Sequence, residues 1–541
     1  MKRTLLLSSA LVLALGAFAQ SALQGYSLSR PDQLYGTARF MGMGGAFGAL
    51  GGDMSTLSYN PAGIGVYRSS EIGATINFDI QNSTLQFGNF KESQNHLNFL
   101  MNNAGYIGTV RMPASALRTF NWGFTYNRKA NFNRRYRGTD TAIGYSMSNY
   151  MAAIANSWAI QPDELHVNYP YDSGLPWLPI LGYDSYMVNP ITDGTTTNWY
   201  GLYGDGTTGS GTIQVEETGG IDEYNLSFGG NFVDKFYWGM DFGITDVNFT
   251  RRSLYGESLD GAYVMDGTDG TFTRSAADWD LYNYYNVSGT GFNYKLGLIY
   301  RPIQELRIGF AFHTPTWYQL DETFYADTDY DYPQSNIRKG TAQTNEGYDA
   351  YNSYNLRTPW RFIASAAGVI ENKMIVSVDV DWTGNQYIHL SDPGYNGGDF
   401  LQDAYTTDPF YYTNQDVKDY YKTTVAFRAG LEYRLTNAFS LRAGYSHVSS
   451  PVKEAAQDNQ MVIQTSGTDP SYTFDNTTDY VTFGLGYRYK HFYVDAAYVY
   501  RHQTSDWHAF TPDPEYIDDS GFQGTLTDNR NQIVVSCGFK F

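Results

Sequence analysis

From Glu71 to the carboxyl terminus, apolar and polar residues alternate in a series of long runs. In one of these runs, Val481, Phe483 and Leu485 alternate with Thr482 and Gly484. Successive side chains of a β-strand point to opposite faces of the sheet. Each run therefore predicts a strand that has one apolar face and one polar face.

The pattern predicts fourteen strands, an even number, as in bacterial single-chain barrels. The connections after even-numbered strands are short, as at 233–235 and 435–437, and the other connections are long. The longest, about 134–221, and the Tyr- and Asp-rich segments 325–352 and 391–421 are predicted to lie outside the cell. The predicted strands span residues 71–86, 103–113, 118–133, 222–232, 236–254, 288–301, 305–322, 355–370, 374–390, 423–435, 438–450, 478–489, 492–504 and 529–541.

The alternation by itself fits either a soluble β-sandwich or a membrane barrel, because only the medium beside the apolar face differs. Strand length favours the barrel, since globular strands usually have about five or six residues and tilted membrane strands need about 9–11. The alternation of short and long connections matches periplasmic turns and external loops. The sequence therefore predicts an all-β transmembrane antiparallel β-barrel of about 14 strands, with both chain ends in the periplasm.

The amino terminus has the pattern of an export signal. Lys2 and Arg3 precede an apolar stretch at 5–15, and residues 17–19 have the small-x-small pattern of a cleavage site. A membrane-spanning helix would need roughly 20 apolar residues, more than this stretch contains. Residues 1–19 are therefore predicted to be a signal peptide.

The last predicted strand alternates up to its aromatic end at Phe541. This end resembles the assembly signal of outer-membrane barrels, so we expect the barrel-assembly machinery to be a partner during biogenesis. Cys537 shares the apolar face of this strand and is interpreted as a small hydrophobic residue. As the only cysteine, it cannot form an internal disulfide.

Composition narrows the class further. Aromatic residues make up 17% of the chain and include 48 tyrosines, as expected for the aromatic girdles of a barrel. The mean hydropathy of -0.42 and the lack of a long apolar run beyond the leader exclude an inner-membrane helical protein. The formal net charge of -19 argues against nucleic acid as a partner.

The polar faces of the predicted strands carry charged residues, which a barrel would enclose. If the apolar faces meet outer-membrane lipid, these charged side chains line the lumen. The lumen-facing candidates are Asp379, Asp381, Arg428, Glu432, Arg442, Arg488 and Asp495.

Residues 20–70 do not alternate and contain a Gly- and Ala-rich run at 42–52 followed by Asp53. A phosphate-binding loop is excluded, because Phe47 stands where a dinucleotide fingerprint has its third glycine and no Gly-Lys-Ser/Thr follows. Such a density of small residues favours a compact segment packed against other backbone. Asp53 is predicted to cap a helix that begins near Met54.

The Gly- and Ala-rich run, the acidic residue and Asn60-Pro61-Ala62-Gly63 lie just ahead of the first strand. Together they resemble the FadL/OmpP1/TodX family of outer-membrane transporters for hydrocarbons and fatty acids. The resemblance implies that residues 20–70 form a hatch that plugs a fourteen-stranded barrel, residues 71–541. It also implies that external loops capture an apolar ligand and that hatch movement opens a lateral or axial path. The candidate gating residues are Gly44, Gly45, Asp53, Asn60, Pro61 and Gly63; for Asn60 and Pro61, a rigid turn needed only for folding is the alternative.

In this family the third strand is interrupted, which gives the barrel a side opening. In the corresponding predicted strand, 118–133, Gly123 is the one obvious candidate for a bulge and hence for the lateral opening. The alternative is that Gly123 is an ordinary small residue in a regular strand.

No other chemistry is predicted. Residues 444–448 lack the closing glycine of a nucleophile elbow, and the adjacent Ser446 and His447 face opposite sides of a strand. The eight histidines have no metal-binding spacing. Acidic runs such as 327–331 lack the full calcium-loop pattern and fit solvated loops better. We therefore expect no catalytic residues, no metal site and no cofactor.

Three functions are compatible with a barrel in the Gram-negative outer membrane. The first is a passive channel for small hydrophobic molecules such as fatty acids or aromatic hydrocarbons. The second is an anchor whose long loops bind a secretion apparatus, a surface polymer or a host ligand. The third is a channel for haemin or polar solutes.

Overall fold

The computed structural model describes residues 21–30, 33–112, 114–194, 196–265, 271–371, 373–393, 409–457, 461–465, 467–511 and 522–541. The predicted signal peptide lies outside these residues. The α-helices in the described part are α1 (Ala22–Ser29), α2 (Ala38–Gly42), α3 (Thr56–Tyr59), α4 (Met147–Ser157), α5 (Pro162–Leu165), α6 (Trp177–Asp184), α7 (Tyr411–Tyr420) and α8 (Glu454–Gln457). Short 3₁₀ helices span Pro61–Val66, Pro170–Asp172, Thr344–Gly347 and Asn385–Tyr387. None of the helices described is both long and apolar enough to cross a membrane.

The strands of the main sheet occupy most of the chain. They are β1 (Glu71–Phe87), β2 (Phe90–Arg111), β3 (Leu117–Asn131), β4 (Arg134–Asp140), β7 (Thr208–Phe232), β8 (Phe236–Met265), β9 (Phe272–Tyr300), β10 (Leu306–His313), β11 (Trp317–Tyr332), β12 (Arg338–Gln343), β13 (Ala350–Arg357), β14 (Arg361–Ile370), β15 (Met374–Gly384), β16 (His389–Ser391), β17 (Thr423–Arg434), β18 (Phe439–Val448), β19 (Tyr472–Tyr489), β20 (Phe492–His508) and β21 (Gln523–Lys540). A separate hairpin consists of β5 (Asn189–Asp193) and β6 (Thr196–Tyr200).

The main sheet closes on itself, because β1 pairs with β2 on one edge and with β21 on the other. Two strands of the barrel are interrupted in the middle, and in each case a proline lies in the gap: Pro315 between β10 and β11, and Pro359 between β13 and β14. Proline has no N–H to donate to a ladder. With each interrupted pair counted once and the short β4, β12 and β16 set aside, the barrel has the predicted fourteen antiparallel strands.

The outer surface of the barrel carries a broad band of exposed apolar side chains. On β8 this band ends near Ile244, and on β9 it ends near Phe292. An exposed apolar surface of this size would not be stable in water but suits hydrocarbon. The predicted direction of the apolar faces is therefore confirmed: they point outward. Further members of the band are Phe78, Phe99, Phe124, Leu226, Leu298, Phe310, Phe362, Phe427, Leu441, Phe483 and Ile533.

The barrel wall continues far beyond the apolar band, which the sequence interpretation did not predict. β8 runs for 30 residues, although the predicted strand ended at 254. The predicted loop 325–352 is in large part strand, because β11 continues to Tyr332 and is followed by β12 and β13. On the inner face of these extensions, apolar side chains such as Tyr255, Leu259 and Tyr332 replace many of the polar side chains of the lumen. The pattern is therefore reversed there, and it was mistaken for loop.

The predicted long loop 134–221 is also a folded structure. It contains β4, α4, α5, α6, the β5–β6 hairpin and the first part of β7. The N-terminus of α4 is held by the buried carboxylate of Glu257 on β8, which lies 13 residues beyond Ile244. This carboxylate accepts hydrogen bonds from the N–H of Met147 at 2.8 Å and from Tyr255 Oη at 2.6 Å. Burial raises the pKa of Glu257 to about 7, although these hydrogen bonds and one from Ser146 lower it.

Candidate functional site

The described residues of the N-terminal segment, 21–30 and 33–70, lie inside the barrel and fill its lumen. α1 contacts α7 of the outer portion, while α2 contacts β18, β19, β20 and β21. The 3₁₀ helix Pro61–Val66 contacts the opposite side of the wall, on β7, β8 and β9. Most residues of the segment are buried. The segment therefore bridges the lumen from one side to the other.

Six of the seven predicted lumen residues are buried inside the barrel. Asp381 lies between Arg361 and Arg428, with nitrogen–oxygen distances of 2.6 and 3.1 Å. Arg428 also donates to Tyr59 Oη of the N-terminal segment at 2.6 Å, and both arginines lie over the ring of Tyr59. Charged hydrogen bonds in such a dry interior hold the segment in place.

A second ionic cluster holds α2. Arg39 of α2 contacts Glu432 at 2.8 Å, and Arg442 links Glu432 at 2.7 Å to Asp495 at 2.6 Å. The remaining predicted lumen residue, Arg488, lies at the end of β19 and is exposed to solvent. The charges inside the barrel wall are thus used in pairs, in part against the N-terminal segment.

Asp379 contacts the backbone of the segment directly. Its Oδ2 accepts hydrogen bonds from the N–H groups of Phe47 and Gly48, each at 2.9 Å. Gly44 and Gly45 just before them have φ of 61° and 75°, a backbone conformation that favours glycine. These two predicted residues therefore allow the turn that presents two N–H groups to one carboxylate.

Asp53 and Asn60 hold the segment together internally. Asp53 accepts from Thr37 Oγ1 at 2.8 Å and from the N–H of Ser55 at 3.0 Å. These bonds tie two parts of the segment together. The helix α3 begins at Thr56, so the prediction that Asp53 caps a helix directly before Met54 is wrong. Asn60 caps the 3₁₀ helix that begins at Pro61, and its side chain also donates to the carbonyl oxygen of Gly48 at 2.5 Å.

The barrel wall carries inward-facing glycines where the segment touches it. A Cβ atom added at Gly430 would stand 2.6 Å from the carbonyl oxygen of Met43, and one at Gly229 would stand 2.5 Å from Ile64. Added Cβ atoms would likewise overlap the segment at Gly239, Gly297, Gly309 and Gly444. We call these six glycines the wall glycines. They let backbone meet backbone, so the lumen is closed by close packing and not only by ion pairs.

A cavity of about 110 Å³ lies above the segment, on the side away from the periplasmic turns. Its walls combine aromatic rings with buried ion pairs; its lining includes Tyr26, Arg30, Phe132, Phe249, Tyr285, Phe324, Tyr421 and Tyr472. Tyr26 of α1 stacks on Tyr421 with ring centroids 4.5 Å apart. Such a mixed lining offers contacts both to an apolar body and to a polar group of a ligand.

Charges at the rim of this cavity are paired. Glu217 on β7 contacts Arg134 at 2.9 Å and Arg251 at 2.6 Å. Burial by itself would raise the pKa of Glu217, but the two arginines lower it to about 2. Two smaller, separate cavities of about 80 and 30 Å³ lie beside the N-terminal segment. The cavity of about 80 Å³ shares Leu28 and Arg30 with the cavity of about 110 Å³. Lys129 lines both of the smaller cavities.

The wall has a gap in its ladder beside these cavities. In the described ladder, pairing between β2 and β3 runs from Arg111–Thr119 to Asn103–Asn127 and stops there. The exposed apolar residues of β2 continue past this point with Met101, Phe99 and Leu97. We call the boundary between residues 97–102 and 128–133 the seam. It is bridged by side chains, including Asn133 Nδ2 to Asn98 Oδ1 at 3.0 Å.

The ladders pass through Gly123 without a register shift, since it pairs with Ile107 on one side and Ser227 on the other. The irregularities of β3 against β7 lie instead at Leu117/Thr119 and Arg128/Ala130. The interruption of the wall is therefore found about four residues after Gly123, where the pairing ends at Asn127. Gly63, the last predicted gating residue, packs against Gly51 and Thr56 within the segment.

Sequence reasoning missed α1, the wall glycines and the seam. For α1 a signal was present, because Ser21 and Gln24 form a capping box at its start. The wall glycines had no local signal, since glycine in a strand has several causes. Within the described ranges, no group of three or more His, Cys, Asp and Glu side chains is arranged to hold a metal ion.

Comparisons with known proteins agree with this architecture. Residues 235–509, about half of the chain, match the family described as "Outer membrane protein transport protein (OMPP1/FadL/TodX)". A Pseudomonas aeruginosa FadL homologue is similar in structure, with 13% sequence identity, a TM-score of 0.52, and coverage of 94% of this chain and 99% of that chain. The P. putida toluene transporter TodX has 11% identity, a TM-score of 0.49, and coverage of 94% and 99%. No curated protein matches the sequence.

At such low identity, the likeness to solved structures supports the fold alone. The family match covers the wall from β8 to β20, which includes most of the paired charges described above. Together with the closed fourteen-stranded barrel, it shows that the chain belongs to the OMPP1/FadL/TodX family of outer-membrane transport proteins and resides in the Gram-negative outer membrane.

Proposed function

We propose that this protein lets small hydrophobic molecules cross the outer membrane passively, with residues 20–70 acting as a movable hatch. A ligand enters the aromatic cavity of about 110 Å³ from outside. It then moves along the smaller cavities beside the hatch and leaves sideways through the seam. No energy source is needed, because the ligand leaves water on entry and finally reaches the apolar interior of the membrane.

The observation that carries this proposal is the end of the β2–β3 ladder inside the apolar band. Strands exposed to lipid normally keep every backbone group paired, because unpaired groups are costly in hydrocarbon. A seam held by side chains is therefore weaker than the rest of the wall. Asn131 and Phe132 on the seam line the upper cavity, and Arg128 and Lys129 line the smallest one.

The route down the barrel axis is less favourable. Along that direction the hatch meets the wall glycines at contact distance and is held by buried ion pairs. Opening it would require breaking several charged interactions in a dry interior, each of which is costly once one partner is left alone. Sideways exit requires the hatch to shift beside the seam but not to clear the whole lumen. The closed packing also disfavours a permanently open channel for polar solutes.

The test is to close the seam covalently and measure uptake. In a Cys537→Ser background, Asn98→Cys and Asn133→Cys would be joined by a short thiol cross-linker. Uptake of radiolabelled oleate and of labelled toluene would be compared in cells before linking, after linking and after cleavage of a reducible linker. We expect linking to abolish most of the uptake of the transported compound and reduction to restore it.

A matched control joins two neighbouring strands whose ladder is intact. His502 and Asn529 face the outside of β20 and β21 and are in hydrogen-bond contact at 2.7 Å. Linking His502→Cys to Asn529→Cys should leave uptake unchanged. If linking the seam leaves uptake unchanged, the lateral route is wrong. If cells with and without the protein take up both compounds equally, the transport proposal itself is wrong.

A further inference from the structure

The seam begins at an irregularity in β2. In the ladder between β1 and β2, Thr75 pairs with Asn103 and Ile76 pairs with Met101. Asn102 is therefore an extra residue without a partner in β1, which makes it a β-bulge. Bulges bend a strand and end regular pairing. Pairing of β2 with β3 ends at the next residue, Asn103.

The bulge turns the Asn102 side chain into the barrel, where it is fully buried. There its Nδ2 donates to the carbonyl oxygen of Gly36 at 3.4 Å and contacts Met41 Sδ at 3.2 Å. Gly36 lies just before α2 of the N-terminal segment, and Met41 belongs to α2. The Oδ1 atom of Asn102 is buried and has no hydrogen-bond partner. One side chain thus connects the hatch to the strand that borders the seam.

We propose that Asn102 is a positioning residue that couples the position of α2 to the state of the seam. This inference rests on the proposed function, because it assumes that the seam opens during transport. With α2 in place, the amide of Asn102 is anchored to Gly36 and the bulge stays where pairing with β3 stops. The outer half of β2 is then held in its present course along the wall.

When α2 withdraws, Asn102 loses its acceptor. A buried amide with neither its donor nor its acceptor satisfied is unfavourable, so the side chain reorients toward other partners. The smallest backbone change that allows this reorientation is a shift of the bulge, which moves residues 97–102 relative to residues 128–133. Movement of the hatch thereby loosens the seam, and by linkage an open seam favours a displaced hatch.

Hydrogen bonds at Thr75 hold β1 in place, so β1 does not move together with β2. Thr75 Oγ1 bonds Ser536 Oγ at 2.7 Å, and the same Ser536 oxygen accepts from the N–H of Ala38 at 2.7 Å. β1 is also paired along its full length with β21. Only the β3 side of β2 lacks a ladder beyond Asn103, so displacement at Asn102 is transmitted to the seam.

The test measures seam opening as the rate of cross-linking in purified full-length protein. The reporter is Asn98→Cys with Asn133→Cys in the Cys537→Ser background, treated with a short bifunctional thiol reagent. The hatch is perturbed by Gly36→Ala, because a Cβ at position 36 would stand 2.5 Å from Ser55 Oγ and 3.0 Å from Phe40 Cδ1. We expect Gly36→Ala to change the cross-linking rate by about fivefold or more.

The decisive comparison repeats this measurement in an Asn102→Ala background. If Asn102 carries the coupling, Gly36→Ala changes the rate there by less than about twofold, whereas the control Asn77→Ala retains the full change. Asn77 is buried on β1 and bonds Gln532 at 2.9 Å. If Asn102→Ala does not fold, Asn102→Asp serves, because a carboxylate cannot donate to Gly36. Folding is checked by heat-modifiable mobility in gels.

The same Gly36→Ala effect with and without Asn102 would overturn the coupling. That outcome is separate from failure of the proposed function, which is read from uptake after linking and not from the linking rate. If linking blocks uptake but the Gly36→Ala effect is the same with and without Asn102, the lateral route stands and Asn102 is not the coupling residue. Loss of the Gly36→Ala effect together with unblocked uptake would show coupling without a lateral route.

Discussion

Substituting one wall glycine tests whether close packing closes the lumen. In Gly430→Ala, the new Cβ would stand 2.6 Å from the carbonyl oxygen of Met43 and 3.0 Å from its Cβ. Ordinary contact begins at about 3.4 Å, so Met43 must move by about 0.8 Å relative to β17. Because Met43 precedes Gly44 and Gly45, the movement reaches the turn that presents N–H groups to Asp379.

Overpacking of a dense interior costs about 1–3 kcal/mol. In the folded barrel this cost falls on the docked state of the hatch and not on the wall, which is held by ladders on both sides of Gly430. At about 1.4 kcal/mol for each factor of ten, the displaced state becomes roughly 5- to 150-fold more populated. We therefore expect more frequent open events in planar-bilayer recordings.

The matched control is Gly368→Ala, where an added Cβ would meet no atom closer than 4.0 Å. It should behave like the wild type in recordings and in sensitivity of cells to large antibiotics. If Gly430→Ala folds with normal heat-modifiable mobility and records like Gly368→Ala, the wall glycines do not seal the lumen.

Three further predictions concern other parts of the molecule. Burial raises the pKa of Glu257 to about 7 from 4.5, so stability of the outer portion falls by roughly 3 kcal/mol as pH rises from about 4.5 to 7. The protection factors of the α4 amides, which correct for the faster intrinsic exchange at higher pH, should fall over this range in the wild type but not in Glu257→Gln, and identical profiles would contradict the assignment. Asp381→Ala leaves two buried arginines without their carboxylate and should destabilise the barrel by about 3–5 kcal/mol, seen as a lower Tm in detergent; an unchanged Tm would exclude this cluster as a support. Tyr421→Ala removes the stack on Tyr26 and should weaken docking of α1 by about 1 kcal/mol. Faster hydrogen exchange in α1 measures the effect, and unchanged exchange would show that other contacts hold it.

Much of the fold could be predicted because barrel strands carry their pattern locally. The turns at 233–235 and 435–437 join strands that the structure pairs as expected. The prediction failed where the apolar and polar faces of a strand are exchanged, as in the extension of β11 through Tyr332. Above the membrane the outside is polar and the inside apolar, so the pattern is reversed and the segment reads as a loop.

The site was predicted in part. Asp379, Asp381 and Glu432 could be placed in the lumen because strand alternation assigns faces. Their partners could not be assigned, because Arg361 and Tyr59 meet Asp381 and Arg428 only through the register of β14 and the course of the hatch. Asn102 carried no signal at all, since a bulge depends on how two neighbouring strands are aligned.

The order of apolar and polar residues predicted a barrel of about fourteen strands, because side-chain direction has a period of two along a strand. Only the resemblance to a known family implied that the N-terminal segment lies inside that barrel. The tertiary structure alone decided where the barrel is closed and where it can open. Closure depends on backbone of the hatch meeting glycines that are distant in sequence, and the seam depends on where β2 and β3 stop pairing. Both are properties of strand alignment around the whole barrel, which no local run of residues encodes.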